Sequence, residues 1–103
     1  MQVIHQRCCG LDVHKKTVVA CILVTSQKGE VQKQVQTFST MTADLLALVD
    51  WLKAFQVTHV AMESTGVFWK PVFNLLEEDF TVILINAQHM KAVPGRKVRR
   101  EVA

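Results

Sequence analysis

Two acidic residues in apolar surroundings, Asp12 and Glu63, are the side chains whose positions most suggest chemistry. Asp12 interrupts the apolar run 8–13, and Glu63 ends the largely apolar run 57–62. An unpartnered carboxylate in such surroundings must neutralise, pair with a cation or bind a metal ion. Each acid also has a structural explanation. Glu63 could favour the start of a following helix, and Asp12 could face solvent or accept backbone hydrogen bonds in the turn to His14.

Asp12 has two cations close by in the sequence, Lys15 and Lys16, with which it could pair. If the strands that carry Asp12 and Glu63 lie side by side, the two carboxylates repel as bare ions and attract a divalent cation. Oxygen ligands alone favour magnesium, manganese or calcium over zinc. Enzymes that cleave or join phosphodiesters commonly use magnesium held by carboxylates and phosphates, with two metals about 4 Å apart that stabilise the attacking and leaving oxygens.

The composition indicates a single small domain. The chain has 103 residues, of which 50% are hydrophobic and 20% charged, enough for one modest core. Its longest uninterrupted apolar run, 18–24, is far shorter than the ~20 residues of a membrane-spanning helix, and no apolar signal segment stands at the amino terminus. We therefore expect a soluble, cytoplasmic protein without a membrane partner.

The three cysteines, Cys8, Cys9 and Cys21, form no Cys-x-x-Cys pair. With His5 they could be drawn as a zinc site, but structural zinc sites usually have paired ligand spacings. Reduced and mostly buried thiols are the favoured interpretation.

The hydrophobic pattern predicts three strands in succession. The run 8–13 is the first, and 17–25 and 31–38 form a hairpin around a Gly-containing connection. Alternating glutamines in the second arm indicate a solvated edge strand.

Helical spacing begins at about residue 42, after a Ser or Thr that caps the helix. The apolar residues of one face are Leu45, Leu48, Val49, Leu52 and Phe55.

The run 57–62 then predicts a fourth strand buried on both faces. A second helix is expected near 66–78, with its regular part late because of Pro71, and a fifth strand over 80–85. This order predicts an α/β fold with a mixed five-stranded sheet, β-β-β-α-β-α-β, in which Asp12 and Glu63 approach each other if the fourth strand lies parallel to the first.

Three motifs resemble the amino-terminal domain of the DEDD insertion-sequence transposases, the Piv-like recombinases. They are Gly-Leu-Asp-Val-His-Lys-Lys at 10–16, Ala-Met-Glu-Ser-Thr-Gly-Val-Phe-Trp-Lys-Pro at 61–71, and Asn-Ala-Gln-His-Met-Lys-Ala-Val-Pro-Gly-Arg-Lys at 86–97. The resemblance implies a ribonuclease-H-like (RuvC-like) fold and a role in DNA transposition or site-specific recombination. It gives Asp12 and Glu63 as catalytic, metal-binding residues for Mg²⁺ or Mn²⁺. Its implied partners are DNA, guide or structured RNA, and further transposase copies.

The sequence departs from the family pattern after residue 97. Arg99 and Val102 stand where the family has two aspartates three residues apart, and the family's serine-bearing second domain is not represented. We therefore expect a RuvC-like domain over 1–97, a divergent tail over 98–103, weak metal binding, and a truncated copy that is inactive alone. Glu101 is a weak replacement for a missing acid.

The carboxyl-terminal segment 91–103 holds five basic residues against one acidic residue, a net charge of +4, whereas 1–90 carries −1. This pattern indicates either a solvated terminus or a nucleic-acid-binding segment. The expected nucleic-acid-binding residues are Lys91, Arg96, Lys97, Arg99 and Arg100.

Two other functions fit parts of the pattern. Gly-Leu-Asp leading into a Thr-containing hairpin also resembles the phosphate-binding hairpin of actin-like ATPases and sugar kinases. Those proteins have small residues where 14–16 are His-Lys-Lys, and they need a second lobe. A non-catalytic fragment that binds nucleic acid or a longer transposase is the other alternative.

Overall fold

A computed structural model of the protein describes residues 6–85, which form one five-stranded mixed sheet with two helices. The expectations for residues 1–5 and 86–103 lie outside this part of the chain. The elements are β1 (Arg7–Val13), β2 (Thr17–Thr25), β3 (Val31–Ser39), α1 (Thr42–Ala54), β4 (His59–Ser64), α2 (Trp69–Leu76) and β5 (Thr81–Ile85). The predicted element order is confirmed.

The strand order across the sheet is β3-β2-β1-β4-β5. The pairs β1–β2 and β2–β3 are antiparallel, whereas β1–β4 and β4–β5 are parallel. The crossovers through α1, from β3 to β4, and through α2, from β4 to β5, therefore run in the same direction across the sheet. Because crossovers of this kind are right-handed, both helices pack on the same face.

We call the face against α1 and α2 the covered face and the opposite one the open face. The covered face carries the apolar core, whose members are all at most 7% exposed. Within the described residues, no helix covers the open face. The core consists of Cys9, Leu11, Val13, Val18, Ala20, Ile22, Phe38, Leu45, Leu48, Val49, Leu52, Val57, Val60, Met62, Val72, Leu76 and Phe80.

The predicted apolar stripe of α1 is confirmed, but its predicted cap is wrong. Met41 occupies the N-cap position, and no side chain caps the helix. The Ser39 hydroxyl instead accepts a hydrogen bond from the Met41 backbone N–H at 3.2 Å and donates to Asp44 at 2.5 Å. Ser39 still belongs to β3, so its side chain supports the entry to the helix from outside it.

The prediction that the fourth strand is buried on both faces is also wrong. Val60 and Met62 are fully buried on the covered face, but His59 and Ala61 on the open face are only half-buried. Ala61 makes the run look core-like on this side as well, and the sequence pattern does not reveal that both helices pack against the other side.

The prediction of a solvated edge strand is confirmed in β3, where every residue from 31 to 37 is exposed. Pro71 lies in the first turn of α2, where its missing N–H leaves no helical hydrogen bond unmade, as expected. Neither described helix is long and apolar enough to cross a membrane.

Candidate metal centre

The structure brings Asp12 and Glu63 together. β1 and β4 are parallel neighbours, and Asp12 is the direct register partner of Glu63. Neighbouring strands lie about 4.8 Å apart, and register partners point to the same face. Both residues are exposed on the open face, one position before the carboxyl ends of their strands. This edge is where open α/β sheets bind their ligands.

Small residues lie next to the acidic pair on the open face. Gly10 and Ala61 are register partners two positions before Asp12 and Glu63, and a Cβ added at Gly10 would meet nothing within 4 Å. The described residues leave a shallow depression of about 330 Å³ there, which the two acids line together with Ile85. The two carboxylates are therefore accessible to a ligand from this face.

Glu63 does not act as a helix cap. The segment from Ser64 to Phe68 separates it from α2, whose N-cap position is Phe68, and Gly66 within this segment has a left-handed φ of +61°. Among the described residues, the Glu63 side chain forms no hydrogen bond or ion pair. The structural explanation of this acid is therefore not supported, and its carboxylate is available for a ligand.

Asp12 has a partner that we did not expect. Its Oδ2 atom lies 3.1 Å from Nε2 of His14, and the two side chains are 56% and 46% exposed. The structure gives no ion pair between Asp12 and Lys15 or Lys16, which are both exposed. The sequence did contain a signal for this contact, because residues i and i+2 of an extended chain lie on the same face.

The turn after β1 is held by hydrogen bonds to its backbone groups. The His14 N–H donates to the Thr17 carbonyl at 2.8 Å, the Thr40 hydroxyl donates to the Lys15 carbonyl at 3.1 Å, and the Thr40 N–H donates to the Lys16 carbonyl at 3.3 Å. The imidazole of His14 takes part in none of these bonds.

The donor chemistry of the pair fits one hard divalent cation. Two carboxylates supply oxygen ligands only, and magnesium is commonly held by one or two carboxylates together with water and phosphate oxygens. No group of three or more His, Cys, Asp or Glu residues that could hold a metal occurs among residues 6–85. The described residues thus suit one shared ion completed by other ligands.

The cysteines do not form a metal site in the described part of the chain, and His5 lies outside it. All three thiols are free: Cys9 is buried, and Cys8 and Cys21 are half-buried. Burial raises the pKa of Cys9 to about 12. Burial also raises the pKa of Cys8, and the nearby Cys21 raises it further. Reduced thiols are the state expected from the sequence.

The five basic residues expected to bind nucleic acid, from Lys91 to Arg100, lie outside the described residues, as do Arg99 and Val102 at the positions of the missing acids. Their relation to Asp12 and Glu63 stays a prediction.

Comparison with known proteins gives a family and a fold. The sequence profile of a DEDD transposase family matches residues 9–101, and the members of this family are described as transposases. The resolvase of Fowlpox virus, solved with its substrate Holliday junction DNA, superposes with a TM-score of 0.57 at 13% identity, covering 92% of this chain and 67% of the resolvase. RuvC of Thermus thermophilus gives a TM-score of 0.57 at 15% identity, covering 94% of this chain and 75% of RuvC.

These two likenesses show the fold, and they confirm that the sheet and its two helices are RuvC-like. Among proteins of curated function, none matches the chain in sequence.

Proposed function

Because this chain belongs to the DEDD transposase family, we propose that it acts in DNA transposition or recombination and that Asp12 and Glu63 hold one Mg²⁺ or Mn²⁺ ion against a DNA phosphate. The observation that carries this proposal is the register pairing of the two acids at the carboxyl edge of parallel strands. A bound cation would neutralise phosphate charge and favour ionisation of a water molecule. The carboxylates would fix the position of the ion and, through it, of the phosphate.

Phosphodiester cleavage is not part of the proposal for this chain alone. Two-metal chemistry needs enough oxygens to hold both cations in register with the phosphate. Asp12 and Glu63 suffice for one ion, and Arg99 and Val102 stand where the resemblance would place further acids. Replacing both by aspartate should strengthen manganese binding without restoring strand transfer.

The proposed partner is DNA, contacted through the basic residues from Lys91 to Arg100 in the carboxyl-terminal segment 91–103. The RuvC-like resolvase of Fowlpox virus has Holliday junction DNA as its substrate, so a four-way junction is a suitable probe beside linear duplex. RNA and further transposase copies are proposed as additional partners on the family resemblance.

The DNA test is binding of the purified chain to a labelled four-way junction and to linear duplex at several salt concentrations. If about four phosphates are contacted, log affinity should fall against log salt with a slope near −3.6 and with little sequence preference. Arg99→Ala with Arg100→Ala should reduce this slope by about 1.8, because two phosphate contacts are lost. Lys28→Ala with Lys33→Ala is the control, since these exposed lysines lie in the β2–β3 hairpin.

Absent or salt-independent binding would remove the proposed DNA contact. The same samples, incubated with Mg²⁺ or Mn²⁺, should show no cleavage. Metal-dependent cleavage that Glu63→Gln abolishes would show that two acids suffice and that the inactivity is wrongly inferred.

A further inference from the structure

His14 is the described residue that contacts the proposed metal centre without being part of the acidic pair. Its Nε2 atom lies 3.1 Å from Oδ2 of Asp12, within hydrogen-bonding distance. Nε2 can donate in the imidazolium and in the neutral tautomer that carries its proton there. When Nε2 carries a proton, one of the two oxygens of Asp12 can accept its hydrogen bond.

An occupied oxygen changes which cations a carboxylate suits. Ca²⁺ takes six to eight ligands at about 2.3–2.6 Å and often binds both oxygens of one carboxylate. Mg²⁺ requires near-octahedral geometry at about 2.0–2.1 Å, and carboxylate oxygens suit Mn²⁺ as they suit Mg²⁺. A histidine that keeps Oδ2 of Asp12 therefore opposes two-oxygen binding and leaves one-oxygen binding possible.

We propose that His14 is a positioning residue that holds Oδ2 of Asp12 and thereby makes the Asp12–Glu63 centre prefer Mn²⁺ and Mg²⁺ over Ca²⁺. This inference rests on the proposed function, because it requires that the two acids bind a cation. His14 acts through Asp12 and is not itself a metal ligand.

The ratio of two dissociation constants separates this role from a general effect of charge. Mn²⁺ and Ca²⁺ both carry two positive charges, so a change in the local electrostatic potential weakens or strengthens both to a similar degree. A change in the identity or the geometry of the ligand atoms, by contrast, alters their ratio. The exposed Lys15, the next residue in the same turn, provides the matched control for charge.

The experiment measures Mn²⁺ binding to the whole chain by electron paramagnetic resonance, with Ca²⁺ as competitor, in the unmodified protein and in three variants. His14→Ala should lower the preference for Mn²⁺ over Ca²⁺ by about tenfold, the lower range for loss of a group that orients a metal ligand. His14→Gln, whose side-chain amide can donate to Oδ2, should restore most of the preference. Lys15→Ala should change both affinities and leave their ratio unchanged.

These variants should fold, because the hydrogen bond of residue 14 to Thr17 is made by its backbone N–H. Far-ultraviolet circular dichroism checks this. If His14→Ala binds Mn²⁺ and Ca²⁺ with the ratio of the unmodified chain, the selectivity role is overturned and the metal centre stands. If the unmodified chain binds neither ion, the metal centre of the proposed function is overturned as well.

Discussion

Neighbouring residues of β1 lie on opposite faces of the sheet and meet opposite surroundings. Cys9, Leu11 and Val13 on the covered face are at most 3% exposed, whereas Gly10 and Asp12 on the open face are exposed. The covered face therefore supplies most of the apolar burial that stabilises the fold. The open face carries charged groups that would be costly in a core. One strand thus serves stability with its odd residues and the proposed chemistry with its even ones.

The largest expected difference between the two faces is in the free energy of unfolding that is lost when a side chain is truncated to alanine. Ile22, fully buried, and Leu23, 36% exposed, are neighbours in β2 on opposite faces. Ile22→Ala should lower the free energy of unfolding by about 3 kcal/mol, through lost burial and the cavity left behind. Leu23→Ala should cost about 1 kcal/mol, because its side chain is only partly removed from water. Urea unfolding of both variants measures the difference, and equal losses would mean that Leu23 is covered in solution.

The adjacent residues Cys8 and Cys9 lie on opposite faces, so their rates of chemical modification can be compared. The thiolate is the reactive form, and burial raises the pKa of Cys9 to about 12. In the folded chain at pH 8, iodoacetamide should therefore modify Cys8, which is half-buried, well before Cys9. Tandem mass spectrometry distinguishes the two sites, and denatured protein is the control. Equal rates in the folded chain would contradict the assignment of Cys9 to the core.

The raised pKa of Cys9 also predicts that the stability of the fold depends on pH. The pKa of Cys9 is higher in the folded chain than the ~8.5 of a free thiol, so only the unfolded chain loses this proton between those values. The contribution of the protonated thiol is complete below about pH 8.5 and is lost as pH rises towards 12. The free energy of unfolding should therefore fall more steeply above pH 9 in the unmodified chain than in Cys9→Ala.

The sequence was sufficient for the element order and for the meeting of Asp12 with Glu63, because apolar runs with turn residues between them leave few topologies. It was insufficient where distant packing decides. The apolar character of 57–62 suggested packing on both sides of β4, whereas within the described residues helices pack against one side only. The nearness of Lys15 and Lys16 to Asp12 in sequence was misleading, since strand periodicity places His14 on the same side instead.

The smallest expected effect concerns the acids of the open face in the absence of metal. Glu63 has no ion-pair or hydrogen-bond partner among the described residues, so Glu63→Gln removes repulsion from Asp12 and should raise the free energy of unfolding by about 0.5 kcal/mol. Asp12→Asn should raise it less, because the contact of this side chain with the exposed His14, worth at most about 1 kcal/mol, is weakened at the same time. Thermal unfolding in chelator at pH 7 tests this order. A lower stability for Glu63→Gln would indicate that this carboxylate has a favourable partner.

Manganese titration of the unmodified chain beside Asp12→Asn, Glu63→Gln and Glu30→Gln tests the metal centre most directly. Glu30 is an exposed acid in the β2–β3 hairpin, at the end of the sheet away from Asp12. We expect weak binding of one ion by the unmodified chain, similar binding by Glu30→Gln, and a loss of at least about tenfold in affinity for each of the other two variants. If Asp12→Asn and Glu63→Gln bind manganese as the unmodified chain does, these acids are not its ligands and the proposed centre is wrong.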